Sequence, residues 1–196
     1  MKNTDGEMNF LESVTNTYVT SDSPQDQLIK TLAIRTFQPY IEPDNKKSAL
    51  EFGCCDGFMT SLIAELVRDL TVVDGSKTFI DLASKKVNDS VKFVHTLFED
   101  YTPNKKFDYI FATYVLEHVY DAENFLSAAG SLLADDGLLF IVVPNARALS
   151  RQLARHMGLL DDLYSLTPND INHGHRRVYD RTLLNIDISK AKLIQV

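Results

Sequence analysis

The chain alternates five short apolar segments with segments of helical character, and this alternation constrains its fold more than any other feature. The apolar segments are rich in β-branched and aromatic residues and lie between turn signals, which is typical of buried strands. The predicted strands cover residues 48–53, 70–75, 91–96, 107–113 and 138–144, and the predicted helices cover 24–40, 57–68, 76–87, 121–134 and 146–157. Strands joined by single helices imply right-handed crossovers and a mostly parallel sheet, so the predicted fold class is α/β.

Both ends of the chain depart from this alternation. Residues 1–23 show no clear period and are predicted to form a flexible or capping arm, whereas residues 24–196 are predicted to form a single domain. The long polar stretch 146–181 is predicted to be an insertion in that domain. The remaining predictions are a turn at 42–47, a helix end and turn at 135–137, a helix over 182–188 and a last strand over 191–196.

Composition argues against several classes of protein. The hydrophobic fraction of 44% over 196 residues is that of an ordinary globular domain. No run of about 18 apolar residues is present, and the first ten residues lack the apolar core of a signal peptide, so we expect a cytoplasmic protein without a membrane partner. The net charge of −7 argues against a nucleic-acid partner, whose phosphates require Lys and Arg.

A glycine-containing loop follows the first predicted strand. Residues 53–57 read Gly-Cys-Cys-Asp-Gly. The dinucleotide frame G-x-G-x-x-G matches at one position of three, and the tighter frame G-x-G-x-G matches at two, with Cys55 in the middle. Adjacent cysteines rarely form a disulfide, and two thiols without further ligands make a poor zinc site. We therefore interpret Cys54 and Cys55 as small reduced side chains, and we predict no bound metal.

The second predicted strand ends in an acid, Asp74, which lies 23 residues after Glu51. An acid at this place can accept hydrogen bonds from both hydroxyls of a ribose, in a nicotinamide cofactor or in an adenosine-type one. The alternative is a turn at Asp74-Gly75 followed by a helix cap at Ser76.

Five motifs in order, "ALEFGCCDG", "TVVDGS", "TLFEDY", "FDYIFATYVLEHVYD" and "LLADDGLLFIVVPN", resemble the class I S-adenosylmethionine-dependent methyltransferases, of the type that acts on small molecules. The resemblance covers Ser48 to Asn145. It implies a Rossmann-like, doubly wound sheet, with S-adenosyl-L-methionine as cofactor and S-adenosyl-L-homocysteine as product. Members usually carry glycine where this chain has Cys55. They also finish with two more strands, of which a strand at 191–196 would supply only the first. Either the natural chain is longer, or the sheet ends in an open edge, which predicts instability or a homodimer.

The resemblance also implies which residues bind the cofactor. The loop would surround the methionine end, Asp74 would hold the ribose, the segment after the third strand would frame the adenine, and residues after the fourth strand would line the site. The implied set is Glu51, Gly53, Cys54, Cys55, Asp56, Gly57, Asp74, Gly75, Ser76, Leu97, Phe98, Glu99, Thr113, Tyr114 and Leu116.

Histidines are the candidates for catalysis. His118 follows the fourth strand, and its unperturbed pKa near neutrality suits a base or a group that orients the acceptor. The alternative is that it packs or caps the loop. His173 and His175 are second candidates, because the family places substrate-specific insertions after the fifth strand. A metal site on these two lacks a carboxylate or cysteine cluster at helical spacing. Hydrogen bonding of the His and Arg side chains to carbonyls and neighbouring carboxylates is the simpler interpretation.

Arginines give the one indication about the acceptor. Arg147, Arg151 and Arg155 share one helix face, and Arg176 and Arg177 follow in the insertion. Such a face is usually solvated. If it borders the site, Arg147, Arg151, Arg176 and Arg177 would bind an acidic small molecule, such as a phosphorylated or nucleotide-linked metabolite.

Three other functions stay open on sequence alone. A protein or nucleic-acid methyltransferase is disfavoured by the charge and by "ATYVLEH", which stands where an Asn-Pro-Pro-aromatic motif would be. A nicotinamide-dependent oxidoreductase is disfavoured by the missing third glycine. A non-catalytic protein that binds S-adenosylmethionine is compatible with the departure at Cys55.

Overall fold

The structure is a computed structural model that describes residues 4–21, 23–42 and 47–196. The strands are β1 (Ser48–Phe52), β2 (Asp69–Asp74), β3 (Lys92–His95), β4 (Phe107–Thr113) and β5 (Leu133–Val142). The helices are α1 (Thr4–Ser21), α2 (Pro24–Phe37), α3 (Phe58–Ala64), α4 (Lys77–Ala83), α5 (Ala122–Ser131), α6 (Leu149–His156), α7 (Pro168–Asn172) and α8 (Arg181–Lys190), with 3₁₀ turns at Gln38–Tyr40 and Phe98–Asp100. None of these helices is both long and apolar enough to cross a membrane. The predicted turn at 42–47 falls mostly on residues outside the described ranges.

The chain folds into two compact units. The first unit runs up to Ala112 and includes Leu132–Phe140. The second unit consists of Thr113–Ser131 and Ile141–Val196.

The five strands form one sheet in the order β3-β2-β1-β4-β5. The pairs β1–β2, β1–β4 and β2–β3 are all parallel, as the alternation of strands and helices predicts. The order reverses beside β1, the first strand of the chain, so the β1–β4 junction is the topological switch point. In open α/β sheets the ligand lies beyond the carboxyl ends of the strands at this point.

The central strands are buried because their sequences are almost wholly apolar. Ala49, Leu50 and Phe52 of β1 are at most 2% exposed. Aromatic rings cover one part of the sheet in the first unit: Phe140 stacks on Phe111 with ring centroids 5.0 Å apart, and Phe37 at the end of α2 lies 4.7 Å from Phe140. This aromatic packing buries one part of the sheet against α2.

The amino-terminal segment is helical, where the sequence predicts only an arm. Helix α1 contacts the start of α4: Glu12 Oε1 accepts hydrogen bonds from the backbone N–H groups of Lys77 (2.5 Å) and Thr78 (3.3 Å). A Cβ on Gly75 would lie only 2.5 Å from Leu11 Cδ1, which shows how closely α1 approaches this turn. The period of α1 was missed because its sequence has no marked apolar face.

Two predictions near the carboxyl end are wrong. Residues 135–137 do not end a helix, because α5 ends at Ser131 and β5 already begins at Leu133. Asp136 has a left-handed backbone conformation (φ 62°) inside this strand. Aspartate tolerates this conformation better than most residues do. The stretch 191–196 is not a strand. Its Leu193 side chain instead lies beside Gly130 of α5, where a Cβ would approach Leu193 Cδ2 to 2.8 Å.

The second unit joins the end of β5 to the segment before α8. Asn145 and Tyr179 form an isolated parallel bridge, and the Ala146 N–H donates to the Tyr179 carbonyl at 2.6 Å. The two ends of the stretch 146–181, predicted as an insertion, are therefore joined to each other, and α6 and α7 lie between them in sequence. The predicted helix at 182–188 is confirmed by α8.

The loop after β1 has a left-handed backbone at every second residue. Gly53 (φ 77°), Cys55 (φ 47°) and Gly57 (φ 84°) are the three positions of the G-x-G-x-G frame. The frame thus describes a conformation in which glycine carries no steric penalty. Cys55 adopts this left-handed conformation at a cost of about 1–2 kcal/mol. The cysteine that replaces the usual glycine of the family therefore has a strained backbone.

Gly57 also packs closely against α4. A pair of glycine substitutions separates the cost of this packing clash from the cost of a left-handed backbone. A Cβ on Gly57 would lie 2.7 Å from Ala83 Cβ, whereas Gly158 has a similar φ (72°) with nothing within 4 Å. Gly158→Ala should cost about 1–2 kcal/mol of unfolding free energy. Gly57→Ala should lose about 1–3 kcal/mol more, because α4 must move. Urea denaturation measures both losses, and equal losses would contradict a tight loop–helix contact.

Candidate functional site

Asp74 connects the ends of β1 and β2 in the first unit. Its Oδ2 accepts the backbone N–H of Cys54 (2.9 Å) and contacts the Cys54 thiol (3.4 Å), and its Oδ1 accepts the N–H of Ser76 (2.8 Å). The residue is 6% exposed, and burial raises its pKa although these donors oppose the rise. Ser76 caps α4 by accepting the N–H of Phe79 at 3.2 Å. The predicted turn and helix cap are therefore present, and the carboxylate faces the glycine-containing loop.

Glu51 is a buried acid without a hydrogen-bond partner. Its exposure is 0%, and neither of its carboxylate oxygens nor the Thr60 hydroxyl forms a hydrogen bond within the described part of the chain. Burial raises the pKa of Glu51 to about 8, and the neighbouring charge of Asp74 adds to the rise, although the nearby Thr60 hydroxyl opposes it. Buried polar groups are nearly always paired, so an unpaired carboxylate beside a ligand loop is a ready acceptor for a cationic group.

The other loop side chains are engaged within the protein. Asp56 forms ion pairs with Lys86 and with Lys30, the latter at 3.5 Å. Although burial opposes it, these ammonium groups hold the pKa of Asp56 below its usual range. Burial raises the pKa of the Cys54 thiol and brings that of Cys55 to about 12, so both thiols stay protonated near neutral pH. Neither thiol therefore has the lowered pKa of an activated nucleophile.

The segment predicted to frame an adenine lies close to the Asp74 turn. A Cβ on Gly75 would lie 3.0 Å from Leu97 Cδ2. Phe98 packs edge-on against Phe52 with centroids 5.3 Å apart, and Glu99 is exposed. The structure therefore brings together, in one unit, the loop, the acid of β2 and the apolar segment after β3.

Thr113, Tyr114 and Leu116 belong to the second unit. Thr113 is buried at the end of β4, and Leu116 is fully buried, so its side chain is committed to packing. Tyr114 has a left-handed backbone (φ 59°), and its N–H donates to the Val142 carbonyl at 2.8 Å. A left-handed tyrosine is uncommon and marks a sharp change of chain direction directly after β4.

The histidines of the second unit are close neighbours. The ring centroids of His118 and His175 lie 4.8 Å apart in an edge-to-face arrangement, and those of His173 and His175 lie 6.2 Å apart. Burial lowers the pKa of His118 to about 3 and that of His175 by a smaller amount. The pKa of His118 thus lies well below the unperturbed value near neutrality, because its ring is removed from water.

Glu117 and Asp170 complete this cluster, and both were missed from sequence. Glu117 is 1% exposed, and neither of its carboxylate oxygens has a hydrogen-bond partner in the described residues. Asp170 Oδ1 contacts His175 Nδ1 at 3.1 Å. A carboxylate was sought beside the His-Gly-His run, but Glu117 comes from the loop after β4, about 55 residues earlier. The sequence signal that could have identified Glu117 is its position directly before His118.

Most of the predicted substrate arginines bind groups of the protein itself. Arg151 donates to the carbonyls of Leu163 (3.0 Å) and Ser165 and to Asp170 (3.1 Å). Arg177 donates to three carbonyls of the loop after β4, those of Leu116 (2.7 Å), Val119 (2.5 Å) and Tyr120 (2.7 Å).

The other two arginines differ in exposure. Arg176 donates to the His118 carbonyl at 2.6 Å and stacks on the Tyr120 ring. Arg147 pairs with Asp180 at 3.0 Å, yet its side chain is 63% exposed. Arg147 is thus the member of the set whose guanidinium remains largely open to solvent.

Comparison with known proteins identifies the family. A model of the methyltransferase domain family matches residues 25–187. The ubiquinone biosynthesis O-methyltransferase of Actinobacillus pleuropneumoniae serotype 7 (strain AP76) is 30% identical over 108 residues, which cover 50% of this chain and 46% of the relative. The mitochondrial ubiquinone biosynthesis O-methyltransferase of Bos taurus is 28% identical over 139 residues, covering 66% of this chain and 36% of that protein. The chain thus spans less than half the length of these relatives.

Solved structures share the fold at low sequence identity. The DhpI–SAH complex has a TM-score of 0.69 at 17% identity and covers 95% of this chain and 86% of its own. The N-methyltransferase NodS from Bradyrhizobium japonicum WM9, in complex with S-adenosyl-L-homocysteine, has a TM-score of 0.62 at 18% identity, with 87% and 76% coverage. With a family model matching most of its residues and a sheet in the order of this fold, the chain belongs to the methyltransferase domain family, in its class I S-adenosylmethionine-dependent branch.

Proposed function

We propose that the chain binds S-adenosyl-L-methionine and transfers its methyl group to an oxygen or nitrogen of a small molecule. The observation that carries this proposal is the unpartnered, buried carboxylate of Glu51 beside Asp74 and the loop Gly53–Gly57. The pair suits a ligand that has a cationic group at one end and a ribose at the other. Solved relatives of the same fold are named as complexes with S-adenosyl-L-homocysteine, which supports this choice.

The residues of the first unit fit this cofactor. Glu51 would accept the ammonium of the methionine moiety, and Asp74 would accept ribose hydroxyls through the lone pairs that its backbone donors leave available. The loop offers backbone rather than bulky side chains, so the ligand can approach closely. When bound, the cofactor supplies an activated methyl on a positively charged sulfonium. The protein then has mainly to align the acceptor atom with that methyl and sulfur.

The methyl transfer needs no reactant besides the cofactor and the acceptor. The acceptor lone pair forms a bond to the methyl carbon as the carbon–sulfur bond breaks, and the sulfur keeps the electron pair of that bond. The sulfonium becomes a neutral thioether, and the acceptor loses a proton when it carries one. Water exclusion and positioning are the contributions asked of the fold.

The acceptor is most consistent with an oxygen nucleophile, because the curated relatives are named O-methyltransferases. An acidic acceptor has less support than the sequence suggests. Arg151 and Arg177 each bind protein carbonyls, and Arg147 alone of the four presents a largely exposed guanidinium. A phosphorylated or nucleotide-linked acceptor would then be recognised chiefly through Arg147.

Asp74→Ala should weaken cofactor binding strongly. The substitution removes charge-assisted hydrogen bonds, each on the order of 1.5–3 kcal/mol, so we expect at least a tenfold rise in Kd for S-adenosyl-L-homocysteine. Titration calorimetry measures this, with Asp89→Ala, an exposed acid outside the site, as the matched control. An unchanged Kd for Asp74→Ala would remove this residue from the site, and binding of NADH instead would indicate an oxidoreductase.

Binding should also depend on pH through Glu51. Its pKa of about 8 in the ligand-free protein means that the carboxyl group holds its proton near neutral pH. A cationic ligand stabilises the ionised form, so binding releases a proton, and affinity should rise as pH increases from about 6 to 7.5. The slope should approach one log unit of affinity per pH unit, with proton release visible as a dependence of the heat on the buffer.

Glu51→Gln tests whether this carboxyl is the source of the pH dependence. The variant should bind S-adenosyl-L-homocysteine weakly and with a flat profile across the same pH range. Glu65→Gln, on the exposed end of α3, should keep the wild-type profile. A pH dependence that survives in Glu51→Gln would place the titrating group elsewhere, and a thermal unfolding curve of each variant establishes that it is folded.

A further inference from the structure

The loop after β4 and the loop after α7 bring one carboxylate and two imidazoles together in the second unit. We propose that Glu117, His118 and His175 bind a divalent transition-metal ion of the zinc class. One carboxylate oxygen and one ring nitrogen from each histidine lie within 4.8 Å of one another. Ligands of a tetrahedral ion at about 2.0–2.2 Å are separated by about 3.4 Å, so a shift of about an ångström would complete the set.

The strongest indication is the state of the Glu117 side chain. It is 1% exposed, and both of its oxygens lack a hydrogen-bond partner in the part of the chain that the structure describes. Burying a polar group without a partner is costly, and burying an unpaired charge is costlier still. A dication bound by this carboxylate removes that penalty. If Glu117 served only to fill space, nothing would offset this penalty. An apolar residue of similar size would fill the same space without the penalty.

His175 has a carboxylate partner of the kind that accompanies a metal-ligating imidazole. Asp170 Oδ1 lies 3.1 Å from His175 Nδ1, so Nδ1 carries the proton and Nε2 keeps its lone pair. Asp170 is itself fixed by Arg151 (3.1 Å) and by the N–H and hydroxyl of Thr167 (both 2.8 Å). A carboxylate behind a ligating imidazole is the usual outer partner of such a site.

The backbone holds the two loops in register. The Arg176 N–H donates to the Glu117 carbonyl at 2.7 Å, and the Arg176 side chain donates to the His118 carbonyl at 2.6 Å. These bonds fix the two ligating loops beside each other without using the ligating atoms. The three ligands are therefore positioned before any ion arrives.

The ligand chemistry selects the class of ion. Two imidazoles and one carboxylate suit Zn²⁺, Co²⁺ or Fe²⁺ better than Mg²⁺ or Ca²⁺, which prefer oxygen ligands and higher coordination numbers. Three protein ligands also leave at least one coordination position open for water or another oxygen donor. None of these residues is assigned to the cofactor, so ion binding can be measured without methyl transfer, although His118 and His175 are also the catalytic candidates.

Metal titration of the full chain tests the proposal directly. After removal of metals with a chelator, Co²⁺ should bind with a stoichiometry of one and give visible absorption bands of a tetrahedral or five-coordinate ion. Zn²⁺ should displace it and raise the unfolding temperature. Glu117→Gln and His175→Gln should each weaken Co²⁺ binding by at least about 100-fold, and Asp170→Asn by about 10- to 100-fold. His156→Gln, an exposed histidine on α6, is the matched control and should bind as wild type.

Several outcomes would overturn the site. Absence of stoichiometric Co²⁺ binding would do so, and so would binding that Glu117→Gln and His175→Gln leave intact, since the ion would then lie elsewhere. Circular dichroism of each variant establishes folding, and His175→Gln, at a less buried position, carries the test if Glu117→Gln does not fold. No step uses S-adenosylmethionine, so failure here leaves the proposed methyl transfer standing, and failure of cofactor binding leaves the metal site standing.

Discussion

The carboxylate of Asp74 holds together the part of the first unit on which the rest depends. It accepts one N–H from the loop after β1 and another from the turn after β2. These two segments are neighbours because β1 and β2 pair in parallel, so both chains leave the sheet at the same edge. Without an acceptor between them, the Cys54 and Ser76 N–H groups would be buried and unpaired, which costs about 1–3 kcal/mol each. The same position brings an acid to the place where a ribose would lie.

Four of the six buried acids in the described residues form two groups, and Asp74, whose carboxylate accepts backbone N–H groups, belongs to neither. Asp56 and Asp170 are paired with cations, and their pKa values lie below the usual range although burial opposes the shift. Glu51 and Glu117 have no hydrogen-bond partner in the described residues, and burial raises the pKa of each to about 8. The first group stabilises the fold. The second group lowers stability at neutral pH, and such perturbed acids make these two positions candidates for ligand contact.

Periodicity and spacing predicted the sheet, the helices that cross it, and the place of Glu51 and Asp74, because these depend on local apolar patterns. The failures have physical causes. Helix α1 lacks a marked apolar face, so its contact with the start of α4 through Glu12 could not be read from its own residues. The cluster of Glu117 with His175 joins residues that are distant in sequence, and no single-sequence pattern reports such a contact. Arg177 looked like a substrate ligand because sequence shows a charge and does not show the three carbonyls that it binds.

Cys55 shows why a motif is best understood as a conformation. Three alternate positions of the loop are left-handed, and glycine occupies two of them. Cys55 occupies the third position at a steric cost, so other interactions of the loop must stabilise this conformation. The bonds from Cys54 to Asp74 lie directly beside the strained residue and can do so. Under the proposed function, Asp74 would both hold the loop and contact the ligand. The two can be told apart, because holding the loop affects the unfolding free energy of the empty protein and meeting the ligand affects only its affinity.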